Sequence, residues 1–487
     1  MGSSRVLLGP LLFALAAAPA PAAPKRPPSS DLARAIDQAV DVPALASAFW
    51  GIEVRGLESG RLLYERNADK NMKPASMLKL VATATALDLY GPDARIRTTV
   101  ETAGRLDGLG RILGDVYLVG RGDPNLSGRF HQGRITADLE ELADALRAGG
   151  VKRIEGRLVG HEGLFKGDRR GEDWAWSDLV WWYGAEVSAL AFNDNSADLK
   201  ASPGERAGDP LLVERNPRSA YYTVVSTATT AAANAARELR LERDLGSNLI
   251  RLSGSLPLGG TPWENSVALE DPARYAATVF AEVLESHGVA VAGPVVTSSD
   301  PLPAGLRVLA AHDSPTMAEM LKAVNKPSQN LHAEMLLRLA GVKAKGEGSV
   351  EAGHEAALEF LRRVGVPADT WALQDGSGLS RSDLVTARGM VALLTAMDRH
   401  PHAQAFRDSL PVAGRDGTLA GRMKGTPAEG RVVAKTGTLR HVNALAGYAA
   451  SRSGEPLVFA IVANHHTAGG TAAVAAIDAI CNVLVAR

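Results

Sequence analysis

A serine and a lysine stand three residues apart, Ser76 and Lys79, at the start of a long apolar stretch. The run 76–90 is apolar nearly all round, which predicts a buried helix that begins after Pro74 and ends before Gly91. On such a helix the two side chains share a face, and burial lowers the pKa of a lysine. Because a neutral amine can deprotonate a hydroxyl, this stretch predicts a serine nucleophile and its base. S-x-x-K alone is a loose pattern, however, and about one chance match is expected in a chain of this length.

A second candidate lies at Ser328-Gln329-Asn330, which follows Pro327 where a helical pattern begins. A hydroxyl there can relay a proton, and an amide can bind a substrate carbonyl. Ser328 is equally compatible with an ordinary helix N-cap.

A third candidate is Lys435-Thr436-Gly437-Thr438, next to the strand-like run 431–434. Its glycine allows another backbone to approach closely, and its ammonium and hydroxyl groups can hold a carboxylate. The backbone N–H of Thr438, with that of Ser76, can form an oxyanion hole. The alternative is an edge strand with solvated charges.

Other chemistries have little support. The eleven histidines include no H-E-x-x-H, and neither His465-His466 nor the His332/Glu334 pair has convincing ligand spacing, so we expect no metal. Gly120-Arg121-Gly122-Asp123 lacks the third glycine of a dinucleotide loop, and we expect no cofactor. Asp375-Gly376-Ser377-Gly378 lacks the spacing of a G-x-S-x-G elbow.

Bulk properties narrow the function further. The 487 residues, 46% hydrophobic, suffice for two or three domains with full cores. A net charge of −1 argues against nucleic-acid binding. The single cysteine, Cys481, excludes an intramolecular disulfide and is expected to be a buried thiol.

The N-terminus has the pattern of a secretory signal over residues 1–22: Arg5, an apolar run 6–18, and Ala20-Pro21-Ala22 for cleavage. A Pro-rich linker follows. We therefore expect a periplasmic or secreted protein; an uncleaved N-terminal anchor is the alternative.

The elements predict one domain interrupted by another. A hairpin over Phe49–Val54 and Arg61–Tyr64 precedes the helix at 76–90. Residues 95–304 contain many short strands separated by glycine and proline, and four tryptophans between 174 and 182. Helices return afterwards. We predict a catalytic domain made of 23–94 and 305–487, with a β-rich insertion at 95–304.

Together and in this order, S-x-x-K, S-x-N and K-T-G are the three signatures of penicillin-interacting serine acyltransferases. The chain resembles the D-alanyl-D-alanine carboxypeptidase/endopeptidases, class C low-molecular-mass penicillin-binding proteins of the penicillin-binding protein 4 type, peptidase family S13. Longer stretches that carry the likeness are 120–127, Phe192-Asn193-Asp194-Asn195, 375–381 and 409–438. The resemblance implies an α+β fold: a β-lactamase/transpeptidase-like domain, with an antiparallel sheet between helices on both faces, carrying a large β-rich insertion.

The resemblance also implies roles for four catalytic residues. Ser76 would attack the carbonyl between two D-alanines, and Lys79 would be the base for acylation. Ser328 and Lys435 would pass the proton to the leaving amine, and water would hydrolyse the acyl-enzyme. β-Lactams would mimic the dipeptide and trap Ser76, so peptidoglycan stem peptides and β-lactams are the expected partners. The oligomeric state is open, with a dimer among the options.

The implied substrate-binding residues are Asn330, Thr436, Gly437, Thr438, Arg381 and Asp178. Asn330 would bind the carbonyl of the acylated peptide, and Thr436 and Thr438 would bind the terminal carboxylate of the substrate. Arg381 and Asp178 are the candidates for reading the diaminopimelate end of the stem peptide. One departure from the family pattern is Arg381-Ser382-Asp383, where Arg-Asp-Asn is common.

Two other functions are compatible with the motifs. A serine β-lactamase would be a smaller chain and would need a carboxylate for deacylation; Glu351, Glu355 and Glu359 lie on a predicted helix whose charged face is expected to be solvated. A peptidoglycan-binding scaffold without activity would not need intact motifs.

Overall fold

The computed structural model describes residues 31–487; the predicted signal segment and linker lie outside the described residues. The first part contains α1 (Asp31–Val40), β1 (Phe49–Gly56), β2 (Leu62–Arg66), a 3₁₀ turn (Ala75–Leu78) and α2 (Lys79–Tyr90). The hairpin predicted from the sequence is therefore present as β1 and β2, paired antiparallel.

Short strands dominate the inserted region, with two helices among them. Its elements are β3 (Arg97–Thr102), β4 (Arg105–Leu106), β5 (Arg111–Leu113), β6 (Val116–Val119), α3 (Ala137–Ala148), β7 (Arg153–Ile154), β8 (Leu158–His161), β9 (Ser196–Ser202), β10 (Leu212–Asn216), β11 (Thr223–Ser226), β12 (Thr229–Ala231), β13 (Arg240–Arg243), β14 (Leu249–Ser253), β15 (Ser255–Pro257), β16 (Trp263–Ala268), α4 (Pro272–Ser286), β17 (Ala290–Val291) and β18 (Val295–Ser298).

The last part returns to helices before three long strands. It contains β19 (Arg307–Asp313), α5 (Met317–Asn325), α6 (Asn330–Lys345), α7 (Val350–Arg363), α8 (Ala387–Asp398), α9 (Ala403–Ser409), β20 (Val432–Leu439), β21 (Val442–Ala450), β22 (Pro456–Asn464) and α10 (Gly469–Ala486).

The first and last parts share one five-stranded antiparallel sheet, in the order β2-β1-β22-β21-β20. Side chains alternate between its faces. Ala444 and Ala446 face a core built with α2, α5, α6 and α8, whereas Leu445 faces a core built with α1 and α10. An antiparallel sheet covered by helices on both faces is the α+β architecture that the family resemblance implied. Strand β20 lies at one edge of this sheet.

Helix α2 is the buried helix that its apolar sequence predicted, because every side chain from Lys79 to Leu87 is buried. Its start differs from the prediction. Ser76 lies in the preceding 3₁₀ turn instead of the first α-helical turn, and Ala75 before it adopts a left-handed φ of 48°. A backbone conformation this unfavourable for alanine shows that contacts from elsewhere in the protein hold the turn.

The inserted region has its own core around α3 and α4, and its largest sheet has the order β18-β8-β6-β3-β19. Strand β19 pairs antiparallel with β3, so this sheet includes residues beyond the boundary predicted at 304. Phe165, Trp174 and Val187 of the insertion are also buried in the core around α2. The insertion therefore packs directly against the catalytic part.

The C-terminal helix α10 is long and apolar enough to span a membrane by length and composition alone. In the fold it forms a layer on the central sheet, where Ile477, Ile480 and Leu484 are fully buried. Cys481 on the same helix is a buried free thiol, as predicted.

Candidate active site

Lys79, the first residue of α2, is hydrogen-bonded to Ser76. Its Nζ lies 2.8 Å from Ser76 Oγ and donates to Asn330 Oδ1 and to the carbonyl oxygen of Ser377, each at 2.6 Å. A neutral amine has two hydrogens and one lone pair. Since the amide and carbonyl oxygens can only accept, they take both hydrogens, and the lone pair is left for the Ser76 hydroxyl proton.

The environment of Lys79 favours this neutral form. The side chain is fully buried, and desolvation lowers its pKa to about 7, although Asp375, Glu334 and Asp383 oppose the shift by attracting the charged form. Near neutral pH a large share of the molecules therefore carries the free amine that general-base catalysis needs.

Asn330 has its amide orientation determined by two partners of opposite type. Its Oδ1 accepts from Lys79, and its Nδ2 donates to the carbonyl oxygen of Tyr183 at 2.8 Å. The second partner belongs to the inserted region, which therefore contributes to the order of the S-x-N motif.

Ser328 is bonded to the third motif rather than capping a helix. Lys435 Nζ donates to Ser328 Oγ at 2.8 Å, and α6 begins only at Asn330. Lys435 is fully buried, and desolvation, with the nearby Lys79 charge, lowers its pKa well below the usual value. Ser328 adopts a φ of 66°, a left-handed conformation that is rare for serine. The N-cap alternative is excluded for Ser328.

Gly437 allows the edge strand β20 to lie against the 3₁₀ turn that carries Ser76. A Cβ at this position would meet the carbonyl oxygen of Pro74 at 2.5 Å and the nitrogen of Met77 at 3.1 Å. The close backbone approach expected for this glycine is thus present. Thr438 lines the cleft, whereas Thr436 is buried and its hydroxyl lies 2.8 Å from that of Thr418.

The cleft beside Ser76 has a volume of about 620 Å³. Residues that line it are Ser76, Ala175, Ser177, Asp178, Trp182, Tyr183, Pro327, Ser328, Asn330, Gly378, Leu379, Arg381, Thr438, Leu439 and Arg440. Arg381 and Asp178 face each other there at 3.4 Å. Every predicted site residue except Lys79, Lys435, Thr436 and Gly437 thus lines the cleft, and these four lie directly behind it.

The tryptophan-rich segment divides between core and cleft. Trp182 lines the cleft, and Trp174 is buried with its Nε1 donating to Asp375 Oδ2 at 2.9 Å, whereas Trp176 is 79% exposed. The density of tryptophans was the only sequence signal for the aromatic wall of Trp182 and Tyr183.

Two buried carboxylates hold the loop that carries the Ser377 carbonyl. Glu334 accepts from the backbone N–H groups of Gly376 and Ser377, and Asp375 accepts from those of Gly378 and Ser380. Gly378 has a φ of 78°, and a Cβ there would lie 1.9 Å from the carbonyl oxygen of Ala75. The loop therefore packs directly onto the 3₁₀ turn that carries Ser76. Burial raises the pKa of Glu334 to about 7.

Sequence reasoning missed these supporting roles. Ser377 lies in the stretch 375–381 that carries the family likeness, and Glu334 stands two residues after His332, but neither pattern indicates a contact that supports Lys79. The departure at Asp383 leaves the loop intact, since its carboxylate accepts from the nitrogen of Gln374 at 2.7 Å. Burial and the neighbouring Asp375 raise the pKa of Asp383 to about 10.

The alternatives raised from the sequence receive no structural support at this cleft. Glu351, Glu355 and Glu359 are exposed on α7 and do not line it. His332 is buried and bonded to Asp194 instead of being grouped with Glu334. Within residues 31–487, the cluster with metal-compatible spacing is Asp138, Glu141 and His312, in and beside the inserted region.

Known proteins share both the sequence and the fold. The sequence model of the D-Ala-D-Ala carboxypeptidase 3 (S13) family matches residues 32–484. A D-alanyl-D-alanine carboxypeptidase of Actinomadura sp. strain R39 is 38% identical over 463 residues, covering 93% of this chain and 84% of the relative. D-alanyl-D-alanine carboxypeptidase DacB of Haemophilus influenzae is 27% identical over 428 residues, covering 86% of each chain.

The crystal structure of penicillin binding protein 4 from Haemophilus influenzae has the same fold, with a TM-score of 0.81 and 24% identity over 94% of this chain and 100% of that one. The family match spans almost all described residues, and the three motifs meet at one cleft. The chain belongs to the D-Ala-D-Ala carboxypeptidase (S13) family of serine peptidases.

Proposed function

We propose that this S13 peptidase cleaves the D-Ala-D-Ala bond of peptidoglycan stem peptides through an acyl-enzyme on Ser76. The observation that carries the assignment is the polar cluster around this side chain. Ser76 Oγ, Lys79 Nζ and Asn330 Oδ1 are joined at 2.8 and 2.6 Å, and Lys435 Nζ meets Ser328 Oγ at 2.8 Å.

Acylation begins when the lone pair of Lys79 takes the Ser76 proton as Oγ attacks the carbonyl. Backbone N–H groups of Ser76 and Thr438 stabilise the resulting oxyanion. Ser328 and Lys435 then relay this proton from Lys79 to the departing amine, which returns Lys79 to its neutral form. The C–N bond breaks, the Ser76 ester forms, and water later hydrolyses this ester and regenerates the hydroxyl.

Substrate binding uses the rest of the predicted set. Asn330 binds the carbonyl of the acylated peptide, and Thr436, Gly437 and Thr438 form the edge that receives the terminal carboxylate. Opposite charges on Arg381 and Asp178 suit a zwitterionic group such as the diaminopimelate end of a stem peptide. We expect Arg381→Ala to raise KM for diaminopimelate peptides several-fold without changing penicillin acylation; an equal loss for both would assign Arg381 to the chemistry instead.

The leaving group decides between carboxypeptidase and endopeptidase activity. Free D-alanine leaves in the first case, and a second stem peptide linked through its side-chain amine leaves in the second. Digestion of pentapeptides and of cross-linked muropeptides by the purified protein distinguishes the two by the release of D-alanine or of monomers.

Export is part of the proposed function because peptidoglycan lies outside the cytoplasmic membrane. The signal pattern over residues 1–22 supports a periplasmic or secreted protein. N-terminal sequencing of the protein from cell fractions tests this. A mature chain that begins shortly after Ala22 is expected, and an unprocessed cytoplasmic chain would contradict export.

The central experiment is mass spectrometry of the intact protein after incubation with penicillin. We expect an increase by the mass of one penicillin, mapped to the peptide that contains Ser76 and absent in Ser76→Ala. Replacement of the distant surface residue Ser59 by alanine is the control and should retain the adduct. An adduct that survives Ser76→Ala would contradict the assignment.

A further inference from the structure

A loop of the inserted region is bonded to the residues that surround the S-x-N motif. The carboxylate of Asp194 accepts from Gln329 Nε2 at 2.7 Å and lies 2.8 Å from His332 Nε2. Both side chains are buried, with exposed fractions of 3% and 0%. Gln329 precedes Asn330 and His332 follows it, so one carboxylate holds the chain on both sides of this residue.

The turn that carries Ser328-Gln329-Asn330 has a backbone hydrogen bond of its own and a side-chain contact with the insertion. Ser328 has a φ of 66°, which an L-serine does not favour, and the following Gln329 is extended. Gln329 occupies the N-cap position of α6, yet its side chain makes no cap hydrogen bond. A local backbone bond from the N–H of Gln329 to the carbonyl oxygen of Val324, at 2.9 Å, closes the turn after α5, whereas the Gln329 side chain donates to Asp194 of the insertion.

Asp194 is itself held in a rigid setting. The three consecutive residues Asn193, Asp194 and Asn195 have φ values of 45°, 52° and 53°, a left-handed run that Asn and Asp tolerate better than other side chains. Asn195 Nδ2 donates to the carbonyl oxygen of Glu186 at 2.7 Å, and Arg129 Nη2 donates to Asp194 at 2.7 Å. The carboxylate is thus presented to α6 at a defined place.

A second contact from the insertion reaches the same turn. The carbonyl oxygen of Tyr183 accepts from Asn330 Nδ2 at 2.8 Å, which leaves Asn330 Oδ1 directed at Lys79. Asn330 is therefore held by the insertion through its own amide, through Gln329 before it and through His332 two residues after it.

We propose that Asp194 is a positioning residue for the reaction: through Gln329 and His332 it holds Ser328 and Asn330 at the distances required by Lys435 and Lys79. The proposal rests on the catalytic roles proposed above for these residues. It gives the Phe192-Asn193-Asp194-Asn195 stretch a function that the three catalytic motifs do not include. The insertion is then part of the catalytic apparatus as well as one wall of the cleft.

The test is Asp194→Asn in the full mature chain. The asparagine keeps the size of the side chain but loses the charge and one acceptor oxygen. We expect the second-order rate of penicillin acylation to fall on the order of 10- to 100-fold, because small displacements of catalytic groups have effects of this size. For a D-Ala-D-Ala peptide, kcat should fall while KM changes by less than roughly twofold, because only the chemical step is affected.

A matched control is Asp115→Asn. Asp115 is another carboxylate of the insertion that is bonded to an arginine side chain and a backbone N–H, but its partner Arg157 does not contact the S-x-N turn. Thermal unfolding should shift to a similar extent in both variants, whereas acylation should slow only in Asp194→Asn. Equal acylation rates in the wild type and in folded Asp194→Asn would overturn the proposal.

A double-mutant cycle with Gln329→Ala isolates the contact itself. This substitution leaves the insertion unchanged. It removes the hydrogen bond from Gln329 to Asp194 and keeps the one between His332 and Asp194. We expect it to slow acylation and its effect to be less than additive with Asp194→Asn. Full additivity, or no effect of Gln329→Ala, would contradict positioning through this contact. Absence of any adduct on wild-type Ser76 would refute the proposed function instead, so the two failures are distinguishable.

Discussion

The catalytic part and the inserted region face each other across the cleft, and their polar groups are held very differently. Lys79 and Lys435 are fully buried and joined to their partners at 2.6–3.0 Å. Across the cleft, the insertion contributes Asp178, which meets the partly exposed Arg381 at 3.4 Å. Electrostatic interactions are stronger where water is excluded. In the proposed mechanism, bond making is confined to the buried side, and recognition uses side chains that are able to adjust.

Contacts between the two regions complicate this division. Trp174, Tyr183 and Asp194 of the insertion each bond to a residue that supports the catalytic groups. The insertion thus has one exposed layer that faces the substrate and one buried layer that supports the motifs. Substitutions in the two layers should have effects of different kinds.

The largest effect is expected for Lys79→Ala, at the centre of the buried side. Without its general base, Ser76 should be acylated by penicillin about 1,000-fold more slowly or worse. Stopped-flow kinetics with a chromogenic cephalosporin measure this rate. Lys70→Ala, an exposed lysine on the same chain segment, is the control and should react at the wild-type rate. A Lys79→Ala rate within tenfold of the wild type (roughly a 1.4 kcal/mol barrier change) would show that another group is the base.

The next largest effect is expected for Glu334→Gln. This substitution tests whether the loop that presents the Ser377 carbonyl to Lys79 must be held by Glu334. Oε1 accepts from the backbone N–H groups of Gly376 and Ser377, and Oε2 also accepts from that of Gly376, so the amide must place an NH₂ group against at least one of these donors. One of these donors is then opposed by another donor, and the Ser377 carbonyl should shift away from Lys79. We expect kcat to fall on the order of tenfold or more.

Substrate binding in Glu334→Gln should remain close to that of the wild type, since Glu334 does not line the cleft. Steady-state kinetics with a D-Ala-D-Ala peptide separate kcat from KM. An unchanged kcat would mean that the position of the loop is determined by Asp375 alone.

The rate of acylation should depend on pH through a single titration step, that of Lys79. Its pKa is lowered to about 7 by burial, and the neutral form is the reactive one. Acylation should therefore rise with pH, approach a plateau above about pH 8, and fall roughly tenfold per unit below about pH 6.

Glu334 titrates in the same range, with its pKa raised by burial to about 7, so the profile needs a control that lacks this carboxylate. Glu334→Gln should keep the step and displace it to lower pH, because the lost carboxylate no longer favours the charged lysine. Disappearance of the step in Glu334→Gln would assign the titration to Glu334.

The smallest effect is expected for Trp174→Phe in the buried layer of the insertion. The substitution removes the bond from Nε1 to Asp375, and we expect unfolding to become easier by about 1–2 kcal/mol. Chemical denaturation measures this change. Trp176→Phe, at a 79% exposed position two residues away, should leave stability unchanged. Equal effects of the two substitutions would contradict the division of the insertion into two layers.

Local sequence patterns predicted much of the site. The spacing of three residues brings Ser76, in the 3₁₀ turn before α2, within reach of Lys79 at the start of α2, and the all-apolar run after them is buried as expected. Hairpin β1–β2 and the closely approached Gly437 also follow from short patterns. These features depend on a few consecutive residues, whose conformational preferences and polarity are evident in the sequence.

Other parts of the site had no local signal. Ser377 contributes a backbone carbonyl, which any residue type possesses, and it meets Lys79 across 298 positions of the chain. Asp194 reaches His332 across 138 positions, and Ser328 is bent into a left-handed conformation that its sequence does not favour.

The sequence by itself determined which side chains are available for chemistry and which of them are buried on one helix. Only the tertiary structure decided which carbonyl takes the lysine hydrogens, which carboxylate holds the S-x-N turn, and that β19 completes the sheet of the insertion. The physical reason is that such contacts join segments far apart in sequence. They form only when the packing of both cores compensates for the entropy lost on bringing those segments together.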